Sequence, residues 1–251
     1  MSMALNRAVR YEIGNYLRAV GVLLLVMLLI PLALWVMMTA TGSNGSSNFN
    51  GYSLSVGIFG LVLGMVGIRE NLRMLNQNGI SRRTAFLAEL ISQAAVSVLV
   101  ALGTTVLLAV YQAIPGMMGR VYVSDVYQLV YEGAAVGVAG YLRTVVFAAA
   151  MCFAMAGLGQ FCSVVYWRLS KFWIVTVSIA IPLVLIFGPA ALFTAVGDSA
   201  AGEALVEALA AFGRFFVGSV WNAVLVFLVL AAVLFCLSWL LVRRAVIRGA
   251  K

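Results

Sequence analysis

The chain contains no histidine. That removes haem held by imidazole, imidazole-bound zinc and the Ser-His kind of intramembrane protease. Charge is scarce as well: 10% of the 251 residues are Asp, Glu, Lys or Arg, against about 25% in an average soluble domain. Its three cysteines, Cys152, Cys162 and Cys236, all fall in apolar stretches, where they read as small packing residues and form neither a disulfide framework nor a metal site. No G-x-x-x-x-G-K-[ST] phosphate loop occurs, and the polar segments are too short to house a nucleotide-binding domain. The apolar sequence offers no cluster of carboxylates for an ion-coupling relay. With so few acid-base groups, a lipid-modifying enzyme is disfavoured, and the chain is read as a non-enzyme.

Apolar residues are what the chain has in abundance, at 64%. They gather in six stretches, at 19–40, 52–68, 86–111, 144–166, 173–196 and 220–242, each near the roughly 20 residues that cross hydrocarbon. An unpaired backbone amide in lipid costs several kcal/mol, so the spans are expected to be helical and the fold class all-α: a single transmembrane domain of six helices. The first stretch is longer than a signal-peptide core and follows a charged segment, so it is read as a retained span.

Positive charge fixes the expected orientation. Thirteen of the sixteen Lys and Arg fall on one side of this six-span arrangement, and only Arg120, Arg143 and Arg214 on the other. The positive-inside rule then puts both termini in the cytoplasm. Five of the eight acidic residues lie outside, so the inner surface sums to +10 and the outer to −2. The net charge of +8 is thus a topology signal and gives no reason to expect nucleic acid as a partner. The four basic residues after the sixth span read as a stop-transfer anchor with affinity for anionic lipid.

Residues 5–18 place Leu5, Val9, Ile13, Tyr16 and Leu17 at helical spacing with Arg7 and Arg18 turned away, which predicts an amphipathic helix along the inner membrane surface. The outer loop 41–51 is rich in Gly, Ser and Asn and reads as a flexible linker. Gly60 and Gly64 form a GxxxG pair, as do Gly133 and Gly137; both permit close helix approach. Pro182 and Pro189 are expected to kink the fifth span, and 198–216 to form a short outer helix.

The densest polar segment is the loop 69–85, RENLRMLNQNGISRRTA. Glu70 to Gln77 can form about two helical turns, read as a short helix parallel to the membrane, ended by Asn78-Gly79, whose residues tolerate the left-handed conformation. Ser81 then offers an N-cap to the third span. Glu89, eight residues on and about 12 Å up that helix, sits near the edge of hydrocarbon and needs a partner. A structural pair with Arg69 or Arg73, with Gln93 sharing the hydrogen bonding, is favoured over a proton-coupling site.

Six helices with both ends inside, an amphipathic N-terminal helix, a charged helix between spans two and three and a short outer helix before span six resemble one permease subunit of a type-2, G-subfamily-like ATP-binding-cassette (ABC) exporter. Residues 69–83 carry the most specific likeness, similar to the charged helix, NG(I/V)SR turn and third-span entry of Gram-positive bacterial members; residues 166–171, YWRLSK, resemble their second cytoplasmic loop. The resemblance implies a multi-pass protein of the bacterial plasma membrane. It would work with a second permease, identical or not, and with separate ABC ATPase subunits that bind ATP and Mg; the chain itself would carry no cofactor. Glu70, Leu72, Arg73, Leu75 and Asn78 would form the surface that docks on the ATPase. Phe59, Met65, Phe187 and Phe193 would line a path between facing subunits for an amphipathic or hydrophobic cargo such as a peptide, lipid or drug. The contrasting reading is a membrane-embedded binding, immunity or sensor protein that acts without ATP.

Overall fold

The structure is a computed structural model that describes residues 3–41, 47–114, 121–131, 137–170, 172–180, 183–184, 187 and 200–243. It is built almost entirely of helix, as expected. The long elements are α1 (Met3–Ala40), α2 (Tyr52–Gln77), α3 (Arg82–Ala113) and α5 (Gly137–Arg168). A five-residue α4 (Val126–Val130) precedes α5, and residues 172–180 are helical (α6). Then come α7 (Ala200–Gly218) and α8 (Val220–Arg243). Among the described residues four helices are long and apolar enough to cross a membrane: Leu5–Ala40, Arg82–Ala113, Gly137–Arg168 and Val220–Arg243. This fits a multi-pass membrane protein. The second expected span, Tyr52–Ile68, is a shorter apolar helix, and most of the expected fifth, with Pro182 and Pro189, lies outside the described residues.

Two expected boundaries are absent. The amphipathic segment 5–18 does not form a helix of its own: α1 runs unbroken for 38 residues, about 57 Å, well beyond the roughly 30 Å of hydrocarbon. Glu70 to Gln77 likewise forms the last two turns of α2 and not a separate short helix. The reason is the same in both. Neither Arg18-Ala19 nor Ile68-Arg69 carries a Pro, Gly or turn signal, so nothing stops a helix already nucleated on the apolar side from propagating through good helix formers.

The segment expected to be a flexible linker also differs in its described part, 47–51. Ser47–Asn50 (β1) and Val121–Ser124 (β2) pair in parallel, Ser47 opposite Val121 and Asn50 opposite Ser124. Phe49 packs edge-on to Tyr52, ring centroids 5.6 Å apart. Buried backbone amides outside a helix need partners, and these two segments satisfy one another. Asp125 continues this junction. Its carboxylate accepts from the Ser53 backbone N–H at 2.6 Å and the Ser53 hydroxyl at 2.5 Å, so a residue 72 positions away caps the start of α2. Asp125→Ala leaves that buried amide and hydroxyl without partners, and we expect a loss of about 2–3 kcal/mol in denaturant titration of the detergent-solubilised protein. Nearby, the Tyr131 hydroxyl donates to the Phe216 carbonyl at 2.7 Å; burial, with the adjacent Tyr127 adding to it, pushes that phenol above its ordinary value.

The middle of the bundle is the α2–α5 seam. Here Gly60 lies against Cys152, Gly64 against Ala156, and Gly159 of α5 against Leu61. In lipid the hydrophobic effect does not drive helices together, so close backbone approach through small residues supplies the packing. On its other faces α5 meets α3 and α8, and α1 lies along α3. Large apolar side chains on α1 and α8, such as Val22, Leu25, Trp221 and Leu225, stay exposed, which suits a lipid-facing surface.

Candidate functional site

The least expected feature is a polar cluster buried among α1, α2 and α3, toward the end of the bundle that carries Arg82 and Arg83. Glu12 and Tyr16 stand one helical turn apart on α1, and Glu89 and Gln93 one turn apart on α3; Asn71 enters from α2. Glu89 is 1% exposed. Its Oε1 accepts from the Tyr16 hydroxyl at 2.6 Å and from Gln93 Nε2 at 2.7 Å, and its Oε2 from Asn71 Nδ2 at 2.7 Å. Asn71 Nδ2 also reaches the Tyr16 oxygen at 3.0 Å. Three neutral donors from three helices thus solvate one carboxylate. The side chains of Arg69 and Arg73, its expected partners, lie outside the described residues.

Glycine at position 67 makes this meeting possible. A Cβ there would stand 1.9 Å from Tyr16 Oη and 2.6 Å from Glu89 Oε1, so no other residue fits without moving the cluster. Glu12 contrasts with Glu89. It is fully buried next to Ser92 and Glu89, and among the described residues neither of its carboxyl oxygens has a hydrogen-bond partner, nor do Ser92 Oγ and Gln93 Oε1. The structure therefore brings two carboxyl groups together inside the bundle.

Among the expected docking residues, Glu70, Leu72 and Arg73 lie in the last two turns of α2, with side chains outside the described residues. Leu75 is buried in a core shared with Ala8, Val9 and Phe86, so it belongs to the fold and not to an exposed docking face. Asn78 is exposed, its side-chain amide donating to the Met74 carbonyl at 3.0 Å. Gly79 follows with φ of 75°, and the Ser81 hydroxyl caps α3 by accepting from the Thr84 N–H at 3.2 Å. The helix end, turn and new helix start read in the sequence are all present.

Of the expected path residues, Phe59, Met65 and Phe187 are among those described. Phe59 is half-buried against Val56, Val96 and Cys152. Met65 borders a groove of about 480 Å³ with Tyr166, Trp167 and Ile174. Phe187 is exposed, and Phe193 lies outside the described residues.

Glu12, Tyr16 and Asn71 were not legible as a site. The signal for Glu12 was present: it falls between Val9 and Tyr16 on the apolar face of the 5–18 helix, where a carboxylate has no reason to be unless that face packs on protein.

Comparison of the chain with protein-family models, with curated proteins and with solved structures finds no match.

Proposed function

We propose that the chain is the transmembrane permease subunit of an ABC exporter, moving an amphipathic or hydrophobic substrate outward across the plasma membrane. ATP and Mg would be bound by a separate ATPase. In this reading six helices span the bilayer with both termini in the cytoplasm, and two permeases face one another.

The observation that carries it is the mechanical continuity of the charged segment. Residues 69–77 extend α2 without a break. The Asn78-Gly79 turn and Ser81 cap reverse the chain directly into α3, and Asn71, inside that segment, is hydrogen-bonded to Glu89 and Tyr16 in the bundle. A push on the tip at Asn78 is thereby delivered to α1, α2 and α3 together, as a coupling lever requires. The permease needs no catalytic residue, consistent with the lack of histidine.

Two experiments test the reading. Mild-detergent extraction of the tagged chain from its native host is expected to recover a soluble ABC ATPase and nucleotide hydrolysis. Recovery of the chain alone, protecting cells without an ATPase, would instead favour a binding or immunity protein. In the assembled complex, the Glu70→Lys, Arg73→Glu double variant is expected to lower substrate-stimulated ATPase activity and transport at least tenfold with membrane insertion unchanged. Wild-type transport by that variant removes the lever.

A further inference from the structure

A second feature lies on the far edge of α3. Between α3 and α8 runs a groove of about 270 Å³, floored by Phe86, Leu90 and Phe235 and open past Leu87 and Cys236. At its mouth is a hollow of about 390 Å³ lined by Arg82, Arg83, Trp239 and Arg243. The two share Arg83 and Trp239 as walls, and Trp239 is held there by Phe86, ring centroids 5.1 Å apart.

We propose that this groove is a binding site for an anionic phospholipid, its phosphate at Arg83 and Arg243 and one acyl chain along Phe86, Leu90 and Phe235.

Charge complementarity is the first argument. α3 starts where α8 ends, so the first turn of one and the last turn of the other put arginines at one level. On α3 the charge of Arg83 is electrostatically unfavourable without an anion. A helix N-terminus already carries about half a positive charge, Arg83 adds another, and the first turn holds no acidic residue. Arg168, which could have competed at this end, donates to the Leu241 carbonyl at 2.6 Å. Among the described residues no carboxylate lines the hollow: Glu12 and Glu89 are buried against one another among α1, α2 and α3.

Shape is the second argument. From Arg83 to Leu90 is seven residues of helix, about 10 Å, and from Arg243 to Phe235 eight, about 12 Å. The apolar slot thus descends from headgroup level by about a third of the roughly 30 Å hydrocarbon core. A cationic mouth, an aromatic residue at the interface and an apolar slot along the helix axis are the parts of one amphipathic anion, and an indole at that level is where membrane proteins place tryptophan.

The test is native mass spectrometry of the full-length purified protein titrated with phosphatidylglycerol or phosphatidylcholine. Wild type is expected to retain phosphatidylglycerol preferentially. Arg83→Gln with Arg243→Gln should weaken that retention about thirty-fold, equivalent to about 2 kcal/mol for two arginines. Filling the slot with Leu87→Trp and Cys236→Trp should weaken it at least tenfold with the arginines intact. Arg7→Gln with Arg10→Gln, which removes the same charge from exposed positions on α1, should change it less than twofold. Equal retention of both lipids overturns the proposal, as does equal loss in the two arginine pairs, or retention that survives the tryptophans. A change in oligomeric mass with lipid retention intact would assign the groove to a second copy of the chain and overturn it too.

Discussion

Gly64→Ala and Gly159→Ala are each expected to destabilise the folded protein by about 3 kcal/mol or more, while Gly14→Ala and Gly213→Ala stabilise it by about 0.5–1 kcal/mol. At Gly64 the new Cβ would stand 2.0 Å from the Ala156 carbonyl oxygen, and at Gly159 2.0 Å from that of Leu61. Both obstacles are backbone on the facing helix, so no rotamer change relieves them; α2 and α5 must separate by more than 1 Å along their seam. Overpacking a core costs typically about 1–3 kcal/mol when side chains can yield, and here they cannot. The ranking along the seam follows from what is met. Gly60→Ala faces the Cys152 carbonyl at 2.4 Å and should cost nearly as much. Gly57→Ala meets the flexible end of Met151 at 3.2 Å and should cost little. Gly14 and Gly213 sit inside α1 and α7 with nothing within 4 Å, so only helix propensity acts, and it favours alanine. Unfolding titrations of the detergent-solubilised variants check the series. A flat response across Gly64, Gly57 and Gly14 would mean the two helices do not meet as closely as described.

That seam shows which parts of the fold were legible. The GxxxG at Gly60 and Gly64 was readable as a site of close approach but not as one facing α5, because two small residues specify a smooth surface and leave the partner open. The other pair gave less: Gly133 lies outside the described residues, and Gly137 begins α5 at φ of 83° with nothing near it. Apolar run length gave α3, α5 and α8 to within a few residues at most ends, and the mixed acidic and apolar composition of 198–216 gave α7. It did not give the continuity of α1 or α2, because polarity marks where hydrocarbon is expected to end and not where a helix stops. Asp125 capping Ser53 and the β1–β2 pairing join segments 72–74 positions apart, and no periodicity encodes such meetings. Leu75 illustrates the same limit. The family resemblance implied a docking role for it, yet it is buried because α1 extends far enough to cover it.

Replacing Glu89 is expected to cost about 3 kcal/mol, whereas replacing Glu12, its neighbour in the same cluster, should be neutral or stabilising. The two differ only in what surrounds the carboxyl group. Glu89→Ala leaves the Tyr16 hydroxyl, Asn71 Nδ2 and Gln93 Nε2 without their common acceptor. Hydrogen bonds to a charged group contribute about 1.5–3 kcal/mol each in water-soluble proteins, and measured values inside membrane bundles are lower, near 0.6 with a maximum of about 1.7. At close to 1 kcal/mol for each of three bonds, the loss comes to about 3 kcal/mol. Glu89→Gln sharpens the test: its carbonyl can still accept from Tyr16 and Gln93, but its NH₂ faces that of Asn71, so about a third of the loss should remain. Among the described residues Glu12 makes no hydrogen bond through either oxygen, and it lies beside a second carboxyl group. Glu12→Leu exchanges an unsatisfied buried acid for an apolar residue of similar volume, a change that is neutral or favourable when the acid had no compensating partner. Stability of the four proteins in one detergent decides it. If Glu12→Leu destabilises as strongly as Glu89→Ala, Glu12 has a partner the hydrogen-bond pattern does not contain. If instead only Glu89 matters for stability, and its variants also lose transport in the assembled complex, the carboxylate that ties Asn71 to α1 and α3 is the joint through which the α2 tip moves the bundle.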